Sequence, residues 1–267
     1  MCAVIRGEEG ELRVSMPRQN QGGMKAVRMP KSSGETQVPS DGLQQVVAAI
    51  ESFDYATANA QLGKVVALLP VQELVGGVVV PLLRLVGDRL HNGTLTAVQE
   101  HMTTAIVRNR LGGLLCLHAR SSLPSQILFA TLSGELHEFG ILASAVLAVG
   151  GGFEALYMGP NLPPSEILAV AGWTSPEAVV LGIKTSKPSP ETIKDLRLVA
   201  SRLPKRTELW LGGDEVKKTL LAVRGVGGIV GARVFALETF EELDVHLARL
   251  KHAIGNRHPQ RSNRLPP

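Results

Sequence analysis

The sequence predicts a bundle of four helical segments followed by an α/β domain, a flavodoxin-like (Rossmann-type) sheet of five parallel strands. Two observations carry this. From Ser40 to about Ala119, apolar residues recur every three or four positions, the period of a helix with one buried face. From about Ser125 the rhythm changes to short, partly β-branched apolar runs alternating with helical segments. Five such β-then-α units imply a doubly wound sheet with strand order 2-1-3-4-5.

Residues 1–40 are rich in Gly, Gln, Ser, Pro and charge without sustained periodicity, and read as a disordered N-terminal tail. Ser40 is placed as the N-cap of "DGLQQVVAAIESF". "DYATANAQLGKVVALL", "VQELVGGVVVPLLRLVGDRLHNG" and "TLTAVQEHMTTAIVRNRLGGLLCLHA" complete a bundle over 41–120. Strands are expected at 127–132, 154–158, 178–183, 208–211 and about 229–234. Helices are expected at 138–149, 165–171, 190–201, 214–223 and 241–251. The α/β domain is thus assigned to 125–252 and a basic C-terminal tail to 253–267.

At 267 residues and 44% hydrophobic content the chain can bury two cores. No apolar run approaches the ~20 residues of a membrane span, and the first residues lack the apolar region of a secretory signal, so a cytoplasmic protein away from the membrane is expected. Cys2 and Cys116 sit far apart in unlike settings, which argues against a disulfide framework. The net charge of +4 belongs to the ends. Residues 1–40 hold six basic against four acidic residues, 251–267 hold four against none, and the remainder holds 18 against 20. A mildly acidic core with no helix-turn-helix pattern makes direct DNA binding an unfavoured expectation.

The loop after the first expected strand, "SGELHEFG", lies where a doubly wound sheet opens its ligand crevice. A histidine in such a loop is ordinarily a solvent-facing residue. Three features raise His137 above that. Glu135 can accept a hydrogen bond from one ring nitrogen and leave the other free to donate to a metal. Gly140 removes a side chain where a large planar ligand would approach the backbone. Gly212 and Gly213 in "WLGGDEV" fall at the same sheet edge, opening a channel between strand ends and helices.

"ELHEFG" has the form E-x-H-x-x-G and resembles the cobalamin-binding domain shared by methionine synthase, corrinoid methyl carriers, mutases and cobalamin-based photoreceptors. The resemblance spans about Leu82 to Leu250 and includes "LGGD" and the "MGPNLPPSEI" turn. It implies that His137 is the lower axial ligand to cobalt, with Glu135 as its partner, and that the displaced nucleotide tail runs in beside Gly212 and Gly213. The family's S-x-L after the third strand is replaced by "LGIKTSKPS", with Gly182 and Lys184 at the matching positions and Thr185 or Ser186 as substitutes for the serine.

"GDRLHNGTLTAVQEHMTTAIVR" is similar to the bundle of CarH-like, light-sensing adenosylcobalamin-dependent regulators, in which a tryptophan stands ten residues before a Glu-His pair. Here the pair is Glu100 and His101, and Leu90, followed by His91, stands at the tryptophan position. The plainer reading of Glu100 and His101 is two polar residues on a bundle surface. The resemblance implies a bundle that caps the upper face of cobalamin, with His91 able to take the upper cobalt position after photolysis and His101 as the second candidate. Leucine cannot stack as indole does. The vacated place matches the photocobilin variant of the family, which holds a bilin such as biliverdin beside cobalamin.

The expectation is therefore a sensor without catalysis of its own, in which light changes bundle packing and hence homo-oligomeric state or the binding of a downstream protein partner. The alternative is a corrinoid methyl carrier for a methyltransferase system.

Overall fold

The computed structural model describes residues 40–118, 125–184, 188–224 and 233–257, all within one compact unit. The expected N-terminal tail lies outside the described residues up to Ser40, where α1 (Ser40–Glu51) begins. α2 (Tyr55–Leu68) is capped by Asp54, which accepts the Thr57 N–H at 3.0 Å. α5 (Ala97–His118) opens on a Thr-x-x-Gln box. Thr96 Oγ1 accepts the Gln99 N–H at 3.3 Å and Gln99 Oε1 accepts the Thr96 N–H at 2.8 Å. Gln99 Nε2 also donates to the Ile50 and Glu51 carbonyls, so the start of α5 is bonded to the end of α1.

The segment expected as one helix over 71–93 is divided into α3 (Val71–Leu74), a π turn (Val75–Val79) and α4 (Val80–His91). Pro81 has no N–H for the carbonyl four residues back, and the Val80 N–H reaches five residues back to Val75. The wider turn absorbs the missing bond, and the four-segment bundle survives.

β1 (Gln126–Leu132), β2 (Glu154–Leu162), β3 (Ala178–Gly182), β4 (Glu208–Gly212) and β5 (Val234–Leu237) form one parallel sheet in the order β2-β1-β3-β4-β5. Alternation decides its two faces. Leu128, Val179, Leu181, Leu209 and Leu211 pack under α7 (Pro164–Thr174), α8 (Pro190–Arg202) and α9 (Val216–Arg224). Ile127, Phe129, Val180 and Trp210 pack under α6 (Phe139–Gly150) and α10 (Phe240–Arg257). α6 is apolar on two sides, and its Leu142 and Val146 join the core of the bundle. Each contributes about 1.5–3 kcal/mol on burial, so α6 is the element that joins the two halves.

Most boundaries shift by one to three residues, α7 running on to Thr174 rather than 171, and three differences matter for the fold. β2 continues to Leu162. β5 is centred later than 229–234, and 225–232 lie outside the described residues. α10 runs on to Arg257 rather than yielding to a tail at 253, because Ile254 still packs on the core beneath the sheet.

Candidate functional site

The carboxyl edge of the sheet is set by β1 and β2. Leu132 is the last residue of β1, and the chain turns at Gly134, whose φ of +86° suits glycine. The Gly134 N–H donates to Asn161 Oδ1 at 2.8 Å, the Asn161 N–H donates to Thr131 Oγ1 at 2.8 Å, and that hydroxyl donates to the Glu135 carbonyl at 2.5 Å. Asn161 itself has φ +63°, a left-handed conformation that asparagine tolerates. The "GPN" turn of β2 thus holds the histidine loop.

Within that loop, Glu135 Oε1 accepts the His137 N–H at 2.9 Å and lies 2.5 Å from His137 Nδ1, while Oε2 accepts the Lys184 N–H at 3.1 Å. Burial pushes the Glu135 carboxyl up, but the hydrogen bonds from His137 and Lys184 outweigh it and hold the group below its ordinary value. An ionised carboxylate at Nδ1 favours the proton on Nδ1, and the neutral ring then carries its free lone pair on Nε2. The ring is 61% exposed.

Beside the loop lies a cleft of about 310 Å³ lined by Ser133, Gly134, Glu135, Gly182, Ser189 and Thr192, among others. A Cβ at Gly140, in the first turn of α6, or at Gly212 would meet nothing within 4 Å. Gly213 differs. Its φ is +148°, and a Cβ there would stand 1.8 Å from the Ile183 carbonyl oxygen, so the backbone just past β3 dictates this glycine, and the channel expected of the pair finds open space only at Gly212. At Gly182 a serine side chain would begin 2.8 Å from Ile141 Cγ2 and 3.2 Å from Thr131 Cγ2. Those methyl groups crowd any side chain at this position. Thr185 and Ser186 lie outside the described residues.

The bundle residues gather around the turn between α4 and α5. Leu90 is 37% exposed and His91 is exposed in the last turn of α4. Glu100 is half-buried, and its Oε2 lies 3.6 Å from Nε2 of the exposed His101. The Thr94 and Leu95 N–H groups both donate to the Arg89 carbonyl, so the turn ties α4 to α5.

Sequence reasoning missed Arg108, Glu138 and Tyr157. Glu138, buried next to His137, accepts a hydrogen bond from Tyr157 Oη at 2.8 Å and pairs with Arg108 Nε of α5. The Arg108 guanidinium also lies 5.6 Å from the centre of the Phe139 ring. Burial and the facing carboxylate push the Tyr157 phenol well up, so it remains a donor. No local signal marks partners 30 residues apart.

Residues 43–114 match the family described as B12 binding domain. Over 170 residues the chain is 29% identical to the HTH-type transcriptional repressor CarH of Myxococcus xanthus, covering 64% of this chain and 56% of that relative. The HTH-type transcriptional repressor CarA of the same organism is 24% identical over 160 residues, covering 60% and 54%. The chain therefore spans about half the length of the curated relatives it matches. The monomethylamine corrinoid protein of Methanosarcina barkeri has the same fold, with TM-score 0.57 at 16% identity over 78% of this chain and 98% of that one.

The sheet edge fits a corrinoid. It offers an imidazole, a ligand suited to borderline transition metals, with the tautomer fixed by a carboxylate. It leaves open space at Gly140 and Gly212 for a flat ring system and a tail. It also presents an exposed apolar side chain, Leu136 at 67%, between the two polar residues of the motif.

Proposed function

We propose that the chain is a cobalamin-binding, light-responsive regulatory module that acts by changing shape rather than by catalysis. The observation that carries this reading is His137, its Nδ1 held by Glu135, which itself lines the cleft, with the adjoining Glu138 paired to Arg108 of the bundle that matches the B12 binding domain. Cobalamin would supply a cobalt-carbon bond that visible light breaks. His137 would hold cobalt from below through Nε2. Glu135 would keep the ring oriented, and Ser189 and Thr192 offer hydroxyls to the tail in place of the absent serine. His91, Glu100 and His101 would face the upper side, with adenosylcobalamin as the dark form.

His91 and His101 would be the bundle side chains able to offer the metal an imidazole once its light-labile group is gone. The changed lid contacts would then alter homo-oligomeric state or binding to a downstream partner. The likeness to two repressors supports a regulatory role. A noncovalent biliverdin would sit beside the corrin at Leu90, where a leucine stands in place of an indole. Leu90 also favours the second reading, a corrinoid methyl carrier, because a small residue leaves the upper face open to a partner methyltransferase.

The test is to load the purified chain with adenosylcobalamin in the dark and record its visible spectrum and native mass before and after green light. The sensor reading expects both to change. A light-insensitive mass, with methyl transfer only when a partner methyltransferase is added, would establish the carrier, and failure to retain any cobalamin would exclude both.

A further inference from the structure

We propose that Arg108, Glu138 and Tyr157 form a latch that positions the capping end of the bundle over His137. The inference rests on the reading that cobalamin binds between these parts. Its three members come from three elements: α5, the residue between His137 and α6, and β2. Glu138 occupies the N-cap of α6, where a carboxylate ordinarily accepts an amide of its own helix. Here it makes no such bond and turns instead to Arg108 and Tyr157. Its side chain is 11% exposed while that of Arg108 is 51% exposed, so the carboxylate is shielded from water and the guanidinium reaches it from the surface.

The surroundings explain why a polar latch matters. Around it, Phe139, Leu142, Val146 and Tyr157 pack on the bundle through apolar contacts. Apolar burial is non-directional and tolerates sliding or rotation of one helix over another. A hydrogen-bonded ion pair fixes register. At Arg108 that register is passed to the cap. His101 lies seven residues earlier on α5, close to two full turns, which puts the two on one face roughly 10 Å apart along the axis. The bonds from Thr94 and Leu95 to Arg89 carry Leu90 and His91 with it. At the other end, Glu138 is joined by a peptide bond to His137. A displacement of the histidine loop therefore pulls on α5 directly.

Arg108, Glu138 and Tyr157 are positioning residues, and the test separates coupling from mere stability. In the full chain carrying Cys2→Ser, spin labels on the exposed Cys116 of α5 and on Ser201→Cys of α8 report the distance between bundle and α/β domain without cofactor. Glu138→Gln and Arg108→Met should each broaden the distance distribution, the double variant should broaden it no further, and Arg108→Lys should restore part of the order. Tyr157→Phe, which removes one hydroxyl, gives a milder form if the others do not fold. In cobalamin-loaded protein the same variants should retain the cofactor about tenfold less tightly, the scale of losing an outer partner of a ligand. Distributions unchanged from wild type, or broadening that adds in the double variant, would overturn the latch. Wild type that binds no cobalamin would overturn the cofactor reading, and the distance measurements would still decide whether the two halves are pinned.

Discussion

Glu135 Oε1 is shared between the backbone N–H of His137, at 2.9 Å, and the Nδ1 of the same residue, at 2.5 Å. One oxygen therefore fixes both where the histidine sits and which ring nitrogen is free. His137→Ala should abolish ligation from below and leave the visible spectrum of bound cobalamin in its water-ligated or base-on form. Glu135→Gln should keep the loop but loosen the ring, weakening cobalamin binding by ~10-fold to 100-fold in a spectroscopic titration. Equal affinity in both variants and wild type would remove His137 from the site.

Two glycines should respond in opposite ways to alanine. At Gly213 a Cβ would collide with the Ile183 carbonyl in a backbone region that side chains avoid, so Gly213→Ala should cost about 3 kcal/mol or more, read by chemical denaturation. At Gly140 a Cβ meets nothing, and alanine suits a helix better, so Gly140→Ala should stabilise the cofactor-free protein by about 0.5 kcal/mol. It should also weaken cobalamin binding, because the methyl group enters the space left for the ligand. Stabilisation without loss of binding would show that the corrin does not pass over α6 there.

Far from the site, buried Glu208 accepts hydrogen bonds from Trp210 Nε1 at 2.9 Å and Arg249 Nη1 at 3.1 Å, and pairs with Arg233 at 2.6 Å. Burial pushes its carboxyl up, but Arg249, Trp210 and Arg233 outweigh it and hold the group below 4.5. A folded value below the unfolded one stabilises the fold above the unfolded value, and the gain is lost as pH falls through the folded value. Melting temperature should therefore drop below about pH 4.5. Glu208→Gln should flatten that part of the profile and cost about 1–3 kcal/mol at neutral pH, since it removes charge-assisted hydrogen bonds from Arg233 and Arg249, whose side chains, 61% and 38% exposed, keep part of their hydration. Calorimetry across pH 3 to 7 compares the two proteins.

The sheet was legible because its order follows from five β-then-α units and because β1 and β3 are apolar on both faces. The motif loop was legible because Glu135, His137 and Gly140 are close in sequence. What stayed hidden depends on pairs distant in sequence or on the absence of a donor. Arg108 and Glu138 stand 30 residues apart, and nothing local in either segment marks them as a pair. The π turn appears only when the missing N–H of Pro81 is set against the helix ladder. Gly213 looked like part of a ligand channel, and only the approach of Ile183 shows that the backbone demands it.

Leu90, at the end of α4, carries the expectation of a second chromophore. Adding biliverdin to the cobalamin-loaded chain should produce a long-wavelength absorption band, and Leu90→Trp should suppress it by filling the space with an indole. No band at micromolar biliverdin would mean that neighbouring side chains close that space.

The last prediction concerns which bundle histidine captures cobalt after illumination. His91 adjoins Leu90 at the lid position, whereas His101 leans toward Glu100, with 3.6 Å between Nε2 and Oε2, and would have to leave that carboxylate to bind metal. His91 is therefore favoured. Imidazole on both faces would give a stable adduct, whereas water on the upper face would exchange readily with added cyanide. Adenosylcobalamin-loaded wild type, His91→Ala and His101→Ala should be illuminated and compared by spectrum, cyanide exchange and native mass. Loss of the stable adduct in His91→Ala alone would establish the assignment, because that variant retains His101. Loss in His101→Ala alone would reverse it. A wild-type-like adduct in both would exclude capture that depends on either histidine alone. A spectral change with unaltered mass in all three would separate the chemical event from oligomerisation, leaving a downstream partner as the reader of the light signal.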